Sequence, residues 1–444
     1  MRSRIEEKDK SRRPLSPDTP YPSKLFVEVT TKCNLKCGMC VKSKPTGDIR
    51  EGNLPSELFR NLEPAFPHLD VLILNGIGEP LLHPDLEEFI KRAKDLLSEG
   101  AWVGFQSNGM LLNEERAFSL IDAGLDRICL SIDSITHDNF RRIREGGDVG
   151  DIERAFTSMS VAKASRGTHR PEVGIEFVLM KDNLFELPET IRWASRHGAT
   201  FAIVTQLLPY DKPTSQQSVY DTNTFGAISV FNQWKEKAGS EGVDILRYFD
   251  AFMKFFKNSY EVRLCNFVER MKSDAHYQNI ALHLERLYDR DEEWFRKVGE
   301  VFEKTRQIAD HEGIEIILPE MAPKNNRRCE FVESMSAFVS WDGNVHPCYF
   351  LWHRYACYIG GLEKLVKPWV FGNLAEKDIL DIWRSDEFRS FRKSVLLYEF
   401  PFCFDCGFAL CDYAQGEDFI QDCYTIKVPC GACLWCTGLF HCLQ

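Results

Sequence analysis

An α/β fold with a cysteine-rich C-terminal region is what this sequence predicts, and three observations predict it. From residue 24 to about residue 209, short β-branched apolar runs alternate with amphipathic helical patterns. Directly after the first of those runs stand Cys33, Cys37 and Cys40, spaced C-x3-C-x2-C. Eight of the chain's 16 cysteines then fall in its last 42 residues.

Six runs read as strands: LFVEVTT (25–31), VLILNG (71–76), WVGFQSN (102–108), RICLSID (127–133), VGIEFVLM (173–180) and FAIVTQL (201–207). Helical patterns fill the gaps. HPDLEEFIKRAKDLLSEG (83–100), for example, has Pro84 and Asp85 at its start and Gly100 as its stop. Repeated βα units imply a parallel sheet with right-handed crossovers. Residues 211–291 break the rhythm and read as a mainly helical insertion, either a packing spacer or a lid or docking surface. The helix WFRKVGEVFEKTRQIADHEG (294–313) and the strand IEIILPE (314–320) then complete the sheet edge.

Composition narrows the function classes. At 444 residues the chain can hold two or three domains. A net charge of −11 does not suggest a nucleic-acid partner. No apolar run is long enough to span a bilayer, so no membrane partner is expected. Residues 1–22 are charged and Pro/Ser-rich with no apolar h-region; they read as a disordered polar tail rather than a secretory signal. A cytoplasmic, reducing compartment follows, where clustered cysteines bind metal or do redox chemistry rather than form disulfides.

The first cysteine group carries the sharpest chemistry. Three closely held thiolates can bind three corners of a 4Fe-4S cluster and leave the fourth iron open. Their loop leaves the C-terminal end of a strand, where α/β barrels place active sites. Zinc is the rival, but it usually takes four ligands in two pairs, and no fourth ligand stands nearby at zinc-like spacing.

CNLKCGMC, placed after the first strand, resembles the cluster loop of the radical S-adenosylmethionine (SAM) enzymes. That resemblance implies a partial (β/α)6 barrel, open on one side, with its core at 23–210 and its edge completed by 292–325. It implies an open-site cluster on Cys33, Cys37 and Cys40, and SAM contacts at successive strand ends. In Gly76-Ile-Gly78-Glu79-Pro80, the family's Gly-Glu pair contacts the SAM amino group; the bland reading of Glu79 is a solvated turn residue. Ser107-Asn108-Gly109 resembles the family's small-Asn-Gly turn, and Ser131 and Asp133 stand where ribose hydroxyls can be bonded. Arg144 is the candidate for the SAM carboxylate, with a surface arginine as its alternative and Arg141 and Arg142 as competitors. Met39 occupies the place of the family's adenine-facing aromatic and can pack by dispersion. The implied chemistry is reductive cleavage of SAM to a 5′-deoxyadenosyl radical, with a ferredoxin or flavodoxin as electron donor.

From residue 326 to 444 a second pattern begins. Cys329, thirteen residues, Gly343, four residues and Cys348 span AFVSWDGNVHPCYF, a hairpin turning at Asp342-Gly343. The helix KDILDIWRSDEFRSFR follows, then the dense cysteine run. This resembles the SPASM extension, which carries two auxiliary 4Fe-4S clusters and would bring the total to three. The usual run is C-x2-C-x5-C-x3-C and a last Cys. Here it is Cys403-x2-Cys406-x4-Cys411, then Cys423, Cys430-x2-Cys433 and Cys442. The tail, with C-x2-C-L-W and a final Cys, resembles that of SPASM maturases of metalloenzymes, including those linked to tungsten-dependent aldehyde:ferredoxin oxidoreductases.

Two cubanes need about eight thiolates, and the candidates are nine: Cys329, Cys348, Cys403, Cys406, Cys411, Cys423, Cys430, Cys433 and Cys442. Cys129 and Cys265 read as core thiols, and Cys357 and Cys436 stay unassigned. Paired C-x2-C could instead hold zinc. The tail reads as loop-rich with little apolar core of its own, so metal would fold it.

The resemblance therefore implies an enzyme that modifies a protein or cofactor, with a tungsten or molybdenum oxidoreductase as partner. The competing enzyme reading is thioether or C–C crosslinking of a ribosomally made peptide; Cys33 leaves little room for a leader-binding domain before it. A non-catalytic iron–sulfur or zinc protein is the third reading.

Overall fold

The computed structural model describes residues 16–44, 49–404, 406 and 419–444. The six predicted strands form as β1 (Lys24–Val27), β2 (Val71–Ile73), β3 (Trp102–Ser107), β4 (Arg127–Ser131), β5 (Glu172–Leu179) and β6 (Phe201–Gln206), and Glu315–Ile317 adds β7. Each pairs in parallel with the next. The apolar residues of β1, β2 and β4 are all buried, as expected of a parallel sheet covered by helices, whereas Ile316 and Ile317 of the edge strand β7 are half-buried.

The hairpin of the C-terminal region does not stand apart from this sheet. Its first strand, β8 (Ser336–Val339), lies parallel to β1, with Leu25 opposite Ala337. β9 (Asn344–His346) pairs antiparallel with β8. A second hairpin, β10 (Tyr355–Ile359) with β11 (Leu362–Val366), forms its own two-stranded sheet, and β12 (Gly372–Asn373) ends the large one. The ten-stranded order is β12-β9-β8-β1-β2-β3-β4-β5-β6-β7, so the sheet stays open between β7 and β12.

The structure corrects two helix boundaries. The helix after β2 runs Leu86–Leu96 and stops before Gly100. Gly100, with φ of 86°, instead shapes the turn into β3 that Ala101 N closes on Ser98 O at 3.1 Å. The continuous helix expected over KDILDIWRSDEFRSFR is two, Ile379–Trp383 and Asp386–Leu396. Ser385 divides them because its side chain accepts from Phe388 N and starts a new helix.

Residues 211–291 contain helices Phe225–Ser240, Tyr248–Phe252, Ser259–Tyr277 and Leu284–Tyr288, with Phe231, Trp234, Phe267 and Met271 in a core of their own. Helix Glu292–Glu312 packs against Leu187–Arg196 and leads into β7. No helix among the described residues is long and apolar enough to cross a membrane.

Candidate active site and cysteine cavity

The loop bearing Cys33, Cys37 and Cys40 starts just past β1 and is fixed by backbone bonds to two neighbours. Lys36 N donates to Glu145 O at 2.9 Å and Gly38 N to Ile143 O at 3.1 Å. Thr31 Oγ1 donates to Arg50 O at 2.8 Å and accepts from Gly52 N at 2.9 Å, which secures the base of the loop. Burial raises the pKa of all three thiols, Cys37 to about 11, although the Arg144 charge opposes this at Cys37. A bound metal would therefore have to displace their protons.

Gly78, Glu79, Ser107 and Asn108 come together against this loop. A Cβ at Gly78 would sit 2.3 Å from Thr30 O and 2.6 Å from Lys32 O, so only glycine permits this approach. Glu79 N donates to Lys32 O at 2.8 Å. The buried Glu79 carboxylate accepts from Ser107 Oγ (2.8 Å), Asn108 N (2.7 Å) and Leu81 N (3.1 Å). Burial raises its pKa and these bonds oppose the rise. Asn108 Nδ2 donates to Asn34 Oδ1 at 2.8 Å, tying the third strand end to the cysteine loop.

Asp133 and Arg144 pair with each other. Asp133 is fully buried; its Oδ1 accepts from Val178 N at 2.8 Å and its Oδ2 meets Arg144 Nε at 2.7 Å. In this arrangement Asp133 orients Arg144 beside the loop, each of its oxygens carrying one of these partners. Arg141 and Arg142 lie exposed, in ion pairs with Asp148 and Asp182. Ser131 is half-buried at the end of β4, and Met39 packs with Ile143, Val178, Met180 and Leu207.

Sequence reasoning missed a polar group on one face of the sheet. β4 and β5 place Ser131 opposite Glu176, and β3 and β4 place Gln106 opposite Cys129, so Gln106, Cys129, Ser131 and Glu176 share a face. Gln106 hydrogen-bonds Glu176, and Asn75 Nδ2 donates to Gln106 Oε1 (3.2 Å) and Tyr349 Oη (2.9 Å). Glu28, buried just past β1, holds His353 Nε2 at 3.0 Å. The signal was present in LFVEV and VGIEFV: a glutamate inside an otherwise apolar parallel strand must find polar company or neutralise.

Burial raises Glu176 to about 7. Its stabilising protonation is complete below about pH 4.5, the ordinary carboxyl range, and is lost as pH rises through 7. Glu176→Gln should therefore match the wild type near pH 4.5 and be more stable above pH 7, by roughly 1–3 kcal/mol given partial solvation. Denaturant unfolding at pH 5 and pH 8 checks this; an equal difference at both values would refute it.

In the C-terminal region five thiols line one cavity: Cys329, Cys348, Cys430, Cys433 and Cys436. The rest of its wall is apolar, with Phe331, Val332, Phe350, Leu351, Phe391 and Phe400 among its members. Among the described residues no three Cys, His, Asp or Glu side chains are close enough to grip a single ion. Thiolates sharing one tetrahedral zinc would stand roughly 3.8 Å apart, from Zn–S bonds of about 2.3 Å. Five thiols in one apolar wall supply the all-sulfur donor set that an iron–sulfur cluster takes.

The other expected ligands are placed differently. Cys403 lies beside the tail: its N donates to Gly431 O at 3.1 Å, and a Cβ on Gly431 would sit 2.8 Å from its Sγ. Cys406 is half-buried, Cys423 is exposed and outside the cavity wall, and Cys411 lies outside the described residues. Cys442 is near Tyr349 and Trp435, also outside the cavity wall. Cys129 and Cys357 are buried on β4 and β10, and Cys265 lies half-buried on Ser259–Tyr277.

The tail differs from the expected loop with little core. Residues 431–437 are all buried, and Leu434, Leu439 and Leu443 join the main core. Gln206 N donates to Leu439 O (3.1 Å), Glu320 N to Gly438 O (2.8 Å) and Arg328 N to Cys436 O (2.8 Å), so the tail is fastened to β6 and the segment after β7. A separate cleft of about 670 Å³ lies between the insertion and the β10–β11 hairpin; no cysteine lines it, and its Arg290 is held by Asp221 at 2.5 Å.

Both cysteine-bearing regions of the chain resemble known families. The Radical SAM superfamily signature matches residues 27–194, and the SPASM iron–sulfur cluster-binding domain matches 329–407. The chain is 28% identical over 428 residues to the tungsten-containing aldehyde ferredoxin oxidoreductase cofactor-modifying protein of Pyrococcus furiosus, covering 94% of this chain and 96% of that one. It is 32% identical over 196 residues to the AdoMet-dependent heme synthase of Methanosarcina barkeri, covering 43% and 52%. Among solved structures, SuiB of Streptococcus suis bound to S-adenosylmethionine aligns with a TM-score of 0.49 at 13% identity, over 84% of this chain and 68% of that chain.

Proposed function

Because this chain belongs to the radical SAM superfamily and carries a SPASM iron–sulfur domain, we propose that it matures a metalloenzyme of the tungsten or molybdenum oxidoreductase type, by radical modification of that protein or its cofactor. The observation that carries the reading is the end-to-end similarity to the Pyrococcus furiosus cofactor-modifying protein, which spans both domains and the insertion between them. The division into a core at 23–210, an insertion at 211–291, an edge at 292–325 and a cysteine domain from 326 is part of the same proposal.

Cys33, Cys37 and Cys40 would hold a 4Fe-4S cluster, which would supply the electron for reductive cleavage of SAM to a 5′-deoxyadenosyl radical. This chain's residues bind and orient. Glu79 has acceptor capacity beyond its three bonds for the SAM amino group. Met39, Ile143, Met180 and Leu207 form an apolar wall suited to adenine. Ser131 can reach a ribose hydroxyl, and Arg144, oriented by Asp133, supplies the positive charge for the carboxylate. The face bearing Gln106, Asn75 and Glu176 is the proposed place for the substrate's polar groups. Two auxiliary clusters bring the count to three, and a ferredoxin or flavodoxin is the proposed donor.

The test is reconstitution. A tungsten aldehyde oxidoreductase produced without this protein should gain activity when incubated with it, SAM and a reductant, and not when SAM is omitted. Full activity of the oxidoreductase without this protein would overturn the proposal.

A further inference from the structure

We infer that the cleft of about 670 Å³ between the insertion and the β10–β11 hairpin binds a polypeptide segment of the client protein, an assignment that rests on the maturation proposed above.

The cleft adjoins the pocket proposed for SAM. Met180 belongs to the apolar wall suited to adenine, and the next residue, Lys181, lines the cleft. Backbone bonds assemble its walls from distant segments. Lys181 N donates to Gln217 O at 2.9 Å, Asp221 N to Met321 O at 2.7 Å and Tyr358 N to Pro209 O at 2.8 Å. The end of β5, the start of the insertion and the hairpin are thereby held around one opening. At the hairpin end, Gly360 and Gly361, with φ of 59° and 81°, close the turn without side chains that would fill it.

The buried part of the wall has one unspent group. Asp221 is 3% exposed; its Oδ1 accepts from Asn223 N (2.9 Å) and Asn223 Nδ2 (3.0 Å), and its Oδ2 holds Arg290 Nε at 2.5 Å. Those bonds fix Asn223, itself 2% exposed, and its Oδ1 is buried with no hydrogen-bond partner among the described residues. A buried acceptor without a donor is costly, so an N–H from a ligand is the group this oxygen lacks.

The rim carries both signs of charge, Lys181 against Glu285, Asp289 and Asp291, all exposed. Lys181 Nζ also stands 5.8 Å from the Trp294 ring centre. Three carboxylates at the rim disfavour a nucleotide or another polyanion. A polypeptide answers the whole set. Its backbone alternates N–H and C=O groups, and its side chains carry both charges. The cleft also lies within the usual size range of ligand clefts.

The experiment uses the full-length protein, with the tungsten aldehyde oxidoreductase produced without it as probe. The wild type should bind the probe, and hydrogen exchange in the complex should slow at 221–223 and 283–291. Three variants should each raise the Kd about tenfold or more, the worth of one charge-assisted contact or one buried hydrogen bond: Lys181→Glu, Leu362→Trp, which narrows the cleft, and Asn223→Ala, which removes the unpaired oxygen. Their 5′-deoxyadenosine formation from SAM without the probe should stay at the wild-type rate. If Asn223→Ala does not fold, Lys181→Glu and Leu362→Trp decide. An unchanged Kd in those two variants, with full activation of the oxidoreductase, would overturn this inference alone, as would exchange protection lying only outside the cleft. Slower SAM cleavage in the variants without the probe would also count against it, by showing that they disturb the SAM pocket. A wild type that neither binds nor activates the probe would remove the maturation reading as well.

Discussion

With Cys33, Cys37 and Cys40 all changed to alanine, the reconstituted protein is expected to form no 5′-deoxyadenosine from SAM while keeping about 8 of about 12 iron per chain. The loss should be complete because these thiols are the only cysteines on the loop that Gly78, Asn108 and Ile143–Glu145 enclose. The loop itself should persist. Its anchors are backbone bonds from Lys36 and Gly38 and the Thr31 hydroxyl, none of which a cysteine supplies. Chromatography of the nucleoside product under dithionite, beside an iron assay, reads both outcomes. Product at the wild-type rate from this variant would remove the cluster on this loop from the mechanism.

Ending the chain after Val428 is expected to unfold the protein rather than merely empty an auxiliary site. Leu434, Leu439 and Leu443 are buried in the main core, and burial of such side chains stabilises by roughly 1.5–3 kcal/mol each. Together the three leucines contribute on the order of 5–9 kcal/mol, which rivals the net stability of about 5–15 kcal/mol typical of a domain. The truncation also leaves Gln206 N, Glu320 N and Arg328 N without their carbonyl partners, and the buried Gln206 amide is the costly one to leave unpaired. The variant should be insoluble or show no cooperative transition, with iron lost from every site. A soluble truncated protein with a wild-type unfolding curve and an intact SAM cluster would show instead that the tail folds only around metal.

The sequence by itself determined the parallel α/β core and its first cysteine loop. Six runs of apolar, β-branched residues at βα spacing have one economical solution, and C-x3-C-x2-C is a local pattern whose ligands lie within eight residues. Local chemistry is legible because the residues that perform it are neighbours in the chain. What lies between distant segments was not. β8 joining β1, Cys436 facing Cys329 and Cys348, and the tail packed under β6 all pair segments hundreds of residues apart or in irregular backbone, where neither period 2 nor period 3.6 carries a signal. Asp133 was legible as a strand-end acid, but only the fold brought Arg144 to it as a buried ion pair. The polar face of Gln106, Asn75 and Glu176 likewise depends on strand register. Register is set by the packing of whole sheet faces rather than by any one strand, so only the tertiary structure decided it.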